Sequence, residues 1–338
     1  MHNKILPGIV ILTIILATVF IGDGITGRAI FSPNPTQGAI TIGLPLGAIN
    51  GLLMVARDKG YFEEEGLVVE FVEFTAGKFA LQAFLSNSLD LTASGEVPVM
   101  YSAYQGNEFY VITQLVNRTI GNIVVVARRD GNLEDPEGYF NNKKRKLATS
   151  FGGGPEFYTY NFLKKYNIKD VELVEVKPGD MPAALASGSV DAVAIFEPFA
   201  TFSENALADE AIVFSDEALY SEYFVLDAHK EWVEKNPKQI EKILKALVRA
   251  SDYVDQHPEE SKEIIMKYTK LDKETLDRIW DSVEFDVALN KELLNTLEEE
   301  AQWAKETGKV QKNQPKPNLQ GYLYKDGLLK VKPEVVSL

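Results

Sequence analysis

From Ala39 onward, short apolar runs alternate with amphipathic stretches, the pattern of parallel α/β layers. Apolar runs at 41–44, 68–74, 89–93 and 110–115 predict strands, and the spacing predicts helices over 52–58, 78–85 and 98–104. The run at 68–74 is apolar on both faces, as expected of a strand covered by helices on both sides. A second series begins near Ile123, with strands over 123–127, 146–149, 171–176, 192–195 and 223–226. Helices over 155–166 and 181–186 separate them, and Pro155 sits at a first helical position, where its missing N–H costs nothing. After Trp232 the pattern is helical alone. Ile240, Ile243, Leu244, Leu247 and Val248 form an amphipathic stripe, and further helices are predicted over 261–268, 273–280 and 291–305.

One short passage is written twice. Residues 83–98 read AFLSNSLDLTASGEVP and residues 184–198 read ALASGSVDAVAIFEP, with the same step from Asp90 to Glu96 and from Asp191 to Glu197. Each glutamate falls where a parallel strand ends, which is where open α/β sheets place their ligands. Two such units predict two similar lobes that share a cleft. The expected organisation is a leader or anchor with its tether (1–38), a first lobe (39–118), a second lobe (119–228) and C-terminal helices (229–338) that mostly return to the first lobe.

Composition narrows the function. The net charge of −14 over 338 residues argues against a nucleic acid or an anionic membrane surface as partner. The one basic run, Lys143 to Lys146, reads as a solvated loop. The absence of cysteine excludes disulfides, thiolate metal sites, a cysteine nucleophile and a lipobox anchor. With only His2, His229 and His257 there is no histidine-rich metal site, and neither a metal nor a cofactor is expected. The apolar stretch from Ile5 to Gly22 lies near the length that divides a signal-peptide core from a spanning helix. It predicts export, with the segment either cleaved or kept as a membrane anchor, followed by a proline-bearing tether at 32–38.

Candidate ligand contacts gather on the loops at strand ends. They are Leu46 and Asn50 after the first strand, Ala76, Gly77 and Lys78 after the second, and Ser94, Gly95 and Glu96 after the third. In the second lobe they are Phe151, Gly152, Gly153 and Gly154, together with Phe196 and Glu197. A small-residue turn that feeds a helix exposes unpaired N–H groups, which suits an anion or a polar ligand atom. The triple glycine matches neither a dinucleotide fingerprint nor a phosphate loop. Glu96 and Glu197 are read as ligand contacts; the competing reading is that each caps a neighbouring helix. Lys78 can neutralise an anion or stand in solvent.

These residues carry a family resemblance. Gly43-Leu44-Pro45-Leu46, the run from Ala56 through Lys59-Gly60-Tyr61-Phe62 and Glu65-Gly66-Leu67 to Glu70, and Asn87-Ser88-Leu89-Asp90-Leu91 all contribute to it. So do Gly188-Ser189-Val190-Asp191-Ala192, Phe196-Glu197-Pro198 and the helix-opening Asn236-Pro237. Over roughly residues 40 to 290 the chain resembles solute-binding proteins of the nitrate, sulfonate, taurine and thiamine-pyrimidine group. The resemblance implies an α/β, type II periplasmic-binding-protein fold, with two lobes around a ligand cleft and two crossing strands at the hinge. It also implies a monomer outside the cytoplasm that captures a small molecule and delivers it to the permease subunits of an ABC importer, without catalysis. The rival is an enzyme on the same fold, of thiamine-pyrimidine synthesis or a related lyase. The synthases carry a cysteine-rich motif and a consumed histidine, and no predicted cleft loop here holds either. A small anion would favour the helix N-termini and Lys78; a pyrimidine would favour Glu96, Glu197 and an aromatic wall; taurine would use both. The excess of acid leans towards a ligand with hydrogen-bond donors.

Overall fold

The computed structural model describes residues 38–338 apart from 117 and 120, so the apolar run and nearly all of the tether lie outside the described residues. The chain lays down strands β1 (Ile40–Pro45), β2 (Val69–Phe74), β3 (Leu91–Gly95), β4 (Phe109–Val116) and the short β5 (Arg118–Thr119). After it crosses to the second lobe it forms β6 (Ile123–Arg128), β7 (Arg145–Thr149), β8 (Val171–Glu175), β9 (Ala192–Phe196) and β10 (Ala211–Phe214). It then crosses back as β11 (Phe224–His229). The first sheet has the order β2-β1-β3-β11-β4 and the second β8-β7-β9-β6-β10. In each, one strand runs against the rest: β11 in the first sheet and β6 in the second. Both are the first sheet strand formed after a crossing.

The strand predicted at 223–226 is therefore placed differently from the expectation. Counted with the second lobe (119–228), it instead pairs in the first sheet, with Leu226 opposite both Ala93 and Thr113. A short apolar run bears no mark of the sheet it joins; the crossing decides.

Helices cover the sheets. The first lobe carries α1 (Gly51–Asp58), α2 (Tyr61–Glu64), α3 (Gly77–Leu85) and α4 (Glu96–Tyr104); the second carries α5 (Pro136–Asn141), α6 (Gly154–Lys165), α7 (Met181–Ala186) and α8 (Phe199–Leu207). The C-terminal series is α9 (Lys230–Lys235), α10 (Pro237–Gln256), α11 (Pro258–Thr269), α12 (Lys273–Trp280), α13 (Lys291–Glu306) and α14 (Asp326–Val331). The α10 stripe is buried at Ile240, Ile243, Leu244 and Leu247, and it joins one core with Ile42, Leu52 and Leu91 of the first lobe. The same core takes in Leu276 of α12, Leu297 of α13 and Leu328 of α14. The last helices also reach the second lobe, where Trp303 meets Phe157 at 5.1 Å and Arg278 pairs with Glu204 at 2.9 Å. In the second lobe, β6 turns Val125 into a core with Phe140 and Phe162, and Val126 into another with Met181 and Leu185 on the opposite face.

The aspartates of the repeated passage have equivalent jobs. Asp90 accepts the N–H of Thr41 at 2.8 Å, and Asp191 accepts the N–H of Lys146 at 2.8 Å. Each fixes the backbone of its own lobe's first parallel strand.

The basic run is not a uniformly solvated loop. Arg145 is 2% exposed. Its guanidinium donates to the Tyr139 carbonyl and to Asp130 Oδ2 at 2.8 Å, and lies 3.7 Å from the centre of the Tyr139 ring. Lysine cannot reproduce that fork. Arg145→Lys is expected to destabilise the protein by about 2–3 kcal/mol. Lys144→Ala is expected to stay within about 0.5 kcal/mol. Urea unfolding of the two variants beside the parent protein checks both values.

Candidate functional site

A cavity of about 70 Å³ lies between the two sheets. Of the residues picked out in the sequence, Leu46, Asn50, Ala76, Gly77, Lys78, Gly95, Gly153, Gly154, Phe196 and Glu197 line it. Ser150, Phe199 and Ile279 close its sides, and its floor is made by Asn122 and Glu222 from the two crossing segments with Phe224 at the start of β11. Sequence reading missed the floor. Asn122 and Glu222 fall between predicted strands, where hydrophobic periodicity says nothing.

Two helix N-termini bring donors to this cavity. Ala76 is extended before α3 and Gly153 before α6; the N–H groups of Phe79 and Glu156 are taken by the Ala76 and Gly153 carbonyls and Pro155 has none, which leaves those of Gly77, Lys78 and Gly154 without partners inside their helices. Glycine is needed at particular points. A Cβ on Gly77 would approach the Gly95 nitrogen and Ser94 Cα to 3.3 Å, and one on Gly154 would lie 2.8 Å from Glu222 Oε1. Gly152 has φ +76°, with open space around it. Packing thus requires the last glycine of the triplet and backbone conformation the first.

Lys78 joins the lobes. Its Nζ donates to Ser150 Oγ at 2.8 Å and to the Phe151 carbonyl at 3.2 Å, and it lies 3.4 Å from Glu175. The lysine of α3 therefore stands neither free in solvent nor solely on the first lobe.

Four of the expected residues lie off the cavity lining. Ser94 is buried in the sheet and donates to Asp227. Glu96 is 1% exposed and accepts from the Tyr220 hydroxyl and, at 3.1 Å, from the Tyr223 N–H. Phe151 and Gly152 face a separate groove with Tyr101, Glu156 and Lys309, where the Gly152 N–H donates to Glu156 at 2.8 Å. Glu197 does reach the cavity, but its Oε2 accepts the Thr201 N–H of α8 at 3.0 Å and its Oε1 lies 3.7 Å from Arg278. The helix-capping reading thus holds for Glu197. Burial still pushes its carboxyl up, against the Thr201 bond.

Behind the floor lies a group of buried acids. Glu222 has its Oε2 bound by Asn122 Nδ2 at 2.7 Å, and burial, with Glu96 nearby, pushes it up to about 8. Glu96 is pushed up to about 7, again by burial, against the Tyr220 bond. Glu300 of α13 is fully buried, has no donor on either oxygen, and is pushed well above the carboxylate range by burial and then by Glu96. Carboxyls this close cannot all ionise, and a shared proton satisfies both members of a pair.

Two lobes of mixed sheet, each with one antiparallel strand laid down after a crossing, and a cavity across the hinge define a periplasmic-binding-protein fold. The chain belongs to the NMT1-like family, whose model matches residues 34–268. A protein of Bacillus subtilis (strain 168), provisionally named for binding aliphatic sulfonates, is 24% identical over 237 residues, 69% of this chain and 70% of its own. Among solved structures, the periplasmic aliphatic sulphonate binding protein SsuA from Escherichia coli superposes with a TM-score of 0.71 at 20% identity, covering 86% of this chain and 99% of its own. The periplasmic nitrate-binding protein NrtA from Synechocystis PCC 6803 does so with a TM-score of 0.69 at 15% identity, covering 88% and 89%.

The acid group sets a pH dependence of stability. Glu96 and Glu300, which lie behind the floor, are both raised in the folded protein, so between about pH 5 and 7 the unfolded chain has lost protons that the folded one retains. Stability contributed by these groups is therefore present on the acid side and lost as pH rises, by about 1.4 kcal/mol per pH unit for each titrating group. The melting temperature is expected to be higher at pH 6 than at pH 8.5. Glu300→Gln, which removes an ionisable group of the same shape, should raise stability at pH 8.5 and flatten the slope. Calorimetric melting across that range checks both; an unchanged slope in the variant contradicts the assignment.

Proposed function

We propose that this chain is the solute-binding component of an ABC importer that works outside the cytoplasm. It captures a small molecule bearing an oxyanion, of the sulfonate class, by closure of its two lobes. The observation that carries this reading is the cavity shared by the two lobes, which Gly77 at the start of α3, Gly154 at the start of α6 and Lys78 all line. A solute that touches both lobes binds the closed state better than the open one, and that difference drives closure.

The sequence reading leaned towards a ligand rich in hydrogen-bond donors, because the cleft loops hold Glu96 and Glu197. The side-chain arrangement supports the opposite lean, since Glu96 faces Tyr220 and Tyr223 and Glu197 is engaged by Thr201 and Arg278. The names of the relatives agree with an oxyanion. The apolar run at 5–22 exports the chain and holds it near the permease subunits that receive the solute. No helix among the described residues is long and apolar enough to cross a membrane, so any anchoring rests on that run.

The fold alone does not decide between capture and catalysis. Neither histidine nor cysteine lines the cavity among the described residues, which supports capture without turnover. Titration calorimetry of the full chain with ethanesulfonate, taurine, nitrate and 4-amino-5-hydroxymethyl-2-methylpyrimidine tests the reading. A sulfonate is expected to bind and to be recovered unchanged. Lys78→Ala is expected to weaken it by about tenfold or more, the loss of a charge-assisted contact. Binding of the pyrimidine with none of the anions, or chemical conversion of a bound sulfonate, would overturn it.

A further inference from the structure

Glu222 stands out among the cavity residues because its burial is unexplained by any structural bond of its second oxygen. The residue is 6% exposed and lines the floor, with its backbone clamped to Thr119: the Thr119 hydroxyl donates to the Glu222 carbonyl at 2.8 Å, and the Glu222 N–H donates back at 3.1 Å. Asn122 holds Oε2, while Oε1 accepts no hydrogen bond from a described residue and borders Gly154 at the start of α6. The oxygen that Asn122 leaves free thus belongs to a residue that lines the cavity wall, where a bound solute can reach it.

We propose that Glu222 is a ligand contact, missed in the sequence, which presents its carboxyl hydrogen to an oxyanion of the bound solute. The proposal rests on the solute-capture reading above and adds a specificity element to it. The charged and titratable groups around Glu222 are Glu96 from α4, Glu300 from α13 and Tyr220 from its own segment. Of the nearby cations, Lys78 of α3 pairs with Glu175 and Arg278 of α12 with Glu197 and Glu204, and neither is bonded to Oε1. An ionised Glu222 would face an oxyanion with like charge; a protonated one donates to it.

Binding then takes up a proton. Opening of the lobes, which the capture reading requires, would bring water to the side chain, and a glutamate in water is ionised at neutral pH. Closure returns it to the buried floor, where it holds a proton up to about pH 8. The proton comes from solvent and remains on the carboxyl, between Oε1 and the solute oxygen. A site built this way prefers a fully charged oxyanion over an amine-bearing group at the floor, because an amine would need the carboxylate ionised. Acidity outside the cell would strengthen capture.

Titration calorimetry of the full chain with ethanesulfonate and with taurine, at pH 7 in two buffers of different ionisation heat, counts the protons. Close to one proton taken up per solute is expected. Affinity should fall about tenfold for each pH unit between about pH 5.5 and 7.5 and level off above about pH 8. In Glu222→Gln the amide keeps a donor. Binding should persist within several-fold at pH 6, with no proton uptake and a flat pH profile. Glu96→Gln, behind the floor, should retain the uptake. Solute binding without proton uptake in the parent protein overturns the proposal while leaving solute capture intact, and so does uptake that survives in Glu222→Gln. Should Glu222→Gln fail to fold, the proton count of the parent protein decides alone. Absence of binding by either sulfonate at pH 6 overturns the sulfonate reading, and this proposal with it.

Discussion

The lock between the two crossing segments is the constraint on which the rest of the molecule depends. Thr119 and Glu222 exchange hydrogen bonds between side chain and backbone, and Asn122 binds the same glutamate's carboxyl. Because the chain passes this point twice, each sheet receives one strand in the reverse direction, β6 or β11. The strand ends of both sheets thereby face one gap, and the crossing residues become its floor. The cavity, its donors and the hinge all follow from one topological event, so a change at Thr119, Asn122 or Glu222 acts on several levels at once.

The lock also explains why acids accumulate where they do. Glu96 begins α4 in the first lobe, Glu222 belongs to the crossing and Glu300 comes from a C-terminal helix, yet all three are buried together. Ionised, they would repel one another in a medium that solvates charge poorly. Protonation removes that repulsion, with Glu96 also bonded to Tyr220, and their cost becomes a sensitivity to pH instead of a failure to fold. Arg278 and Lys309 reach from the C-terminal region to Glu197 and Glu156 of the second lobe, so the region that completes the first core also braces the cleft.

Much of this was legible in the sequence, for definite reasons. Parallel strands buried on both faces write continuous apolar runs, and the twin Asp-to-Glu passages mark equivalent positions because Asp90 and Asp191 each hold the first parallel strand of their own lobe. Turn residues before helices marked Ala76 to Lys78 and Gly153–Gly154, all of which line the cavity. What was not legible depends on side-chain direction. Glu96 and Glu197 share a place in the repeat, yet one faces Tyr220 and the other Thr201. Arg145 sits in a basic run whose neighbours are solvated, and only the fold turns it inward onto Tyr139. Asn122 and Glu222 lie in irregular segments, where no period exists to betray burial. The sheet that β11 joins is likewise a property of the crossing and not of the strand.

The central claim is that the lobes close on a solute held between them, about the crossing segments. Small-angle X-ray scattering of the full chain, with and without a sulfonate at saturation, tests it most directly. The expected result is a smaller radius of gyration with solute bound, reversed when the solute is removed. Superimposable curves under a solute shown by calorimetry to be bound would contradict it.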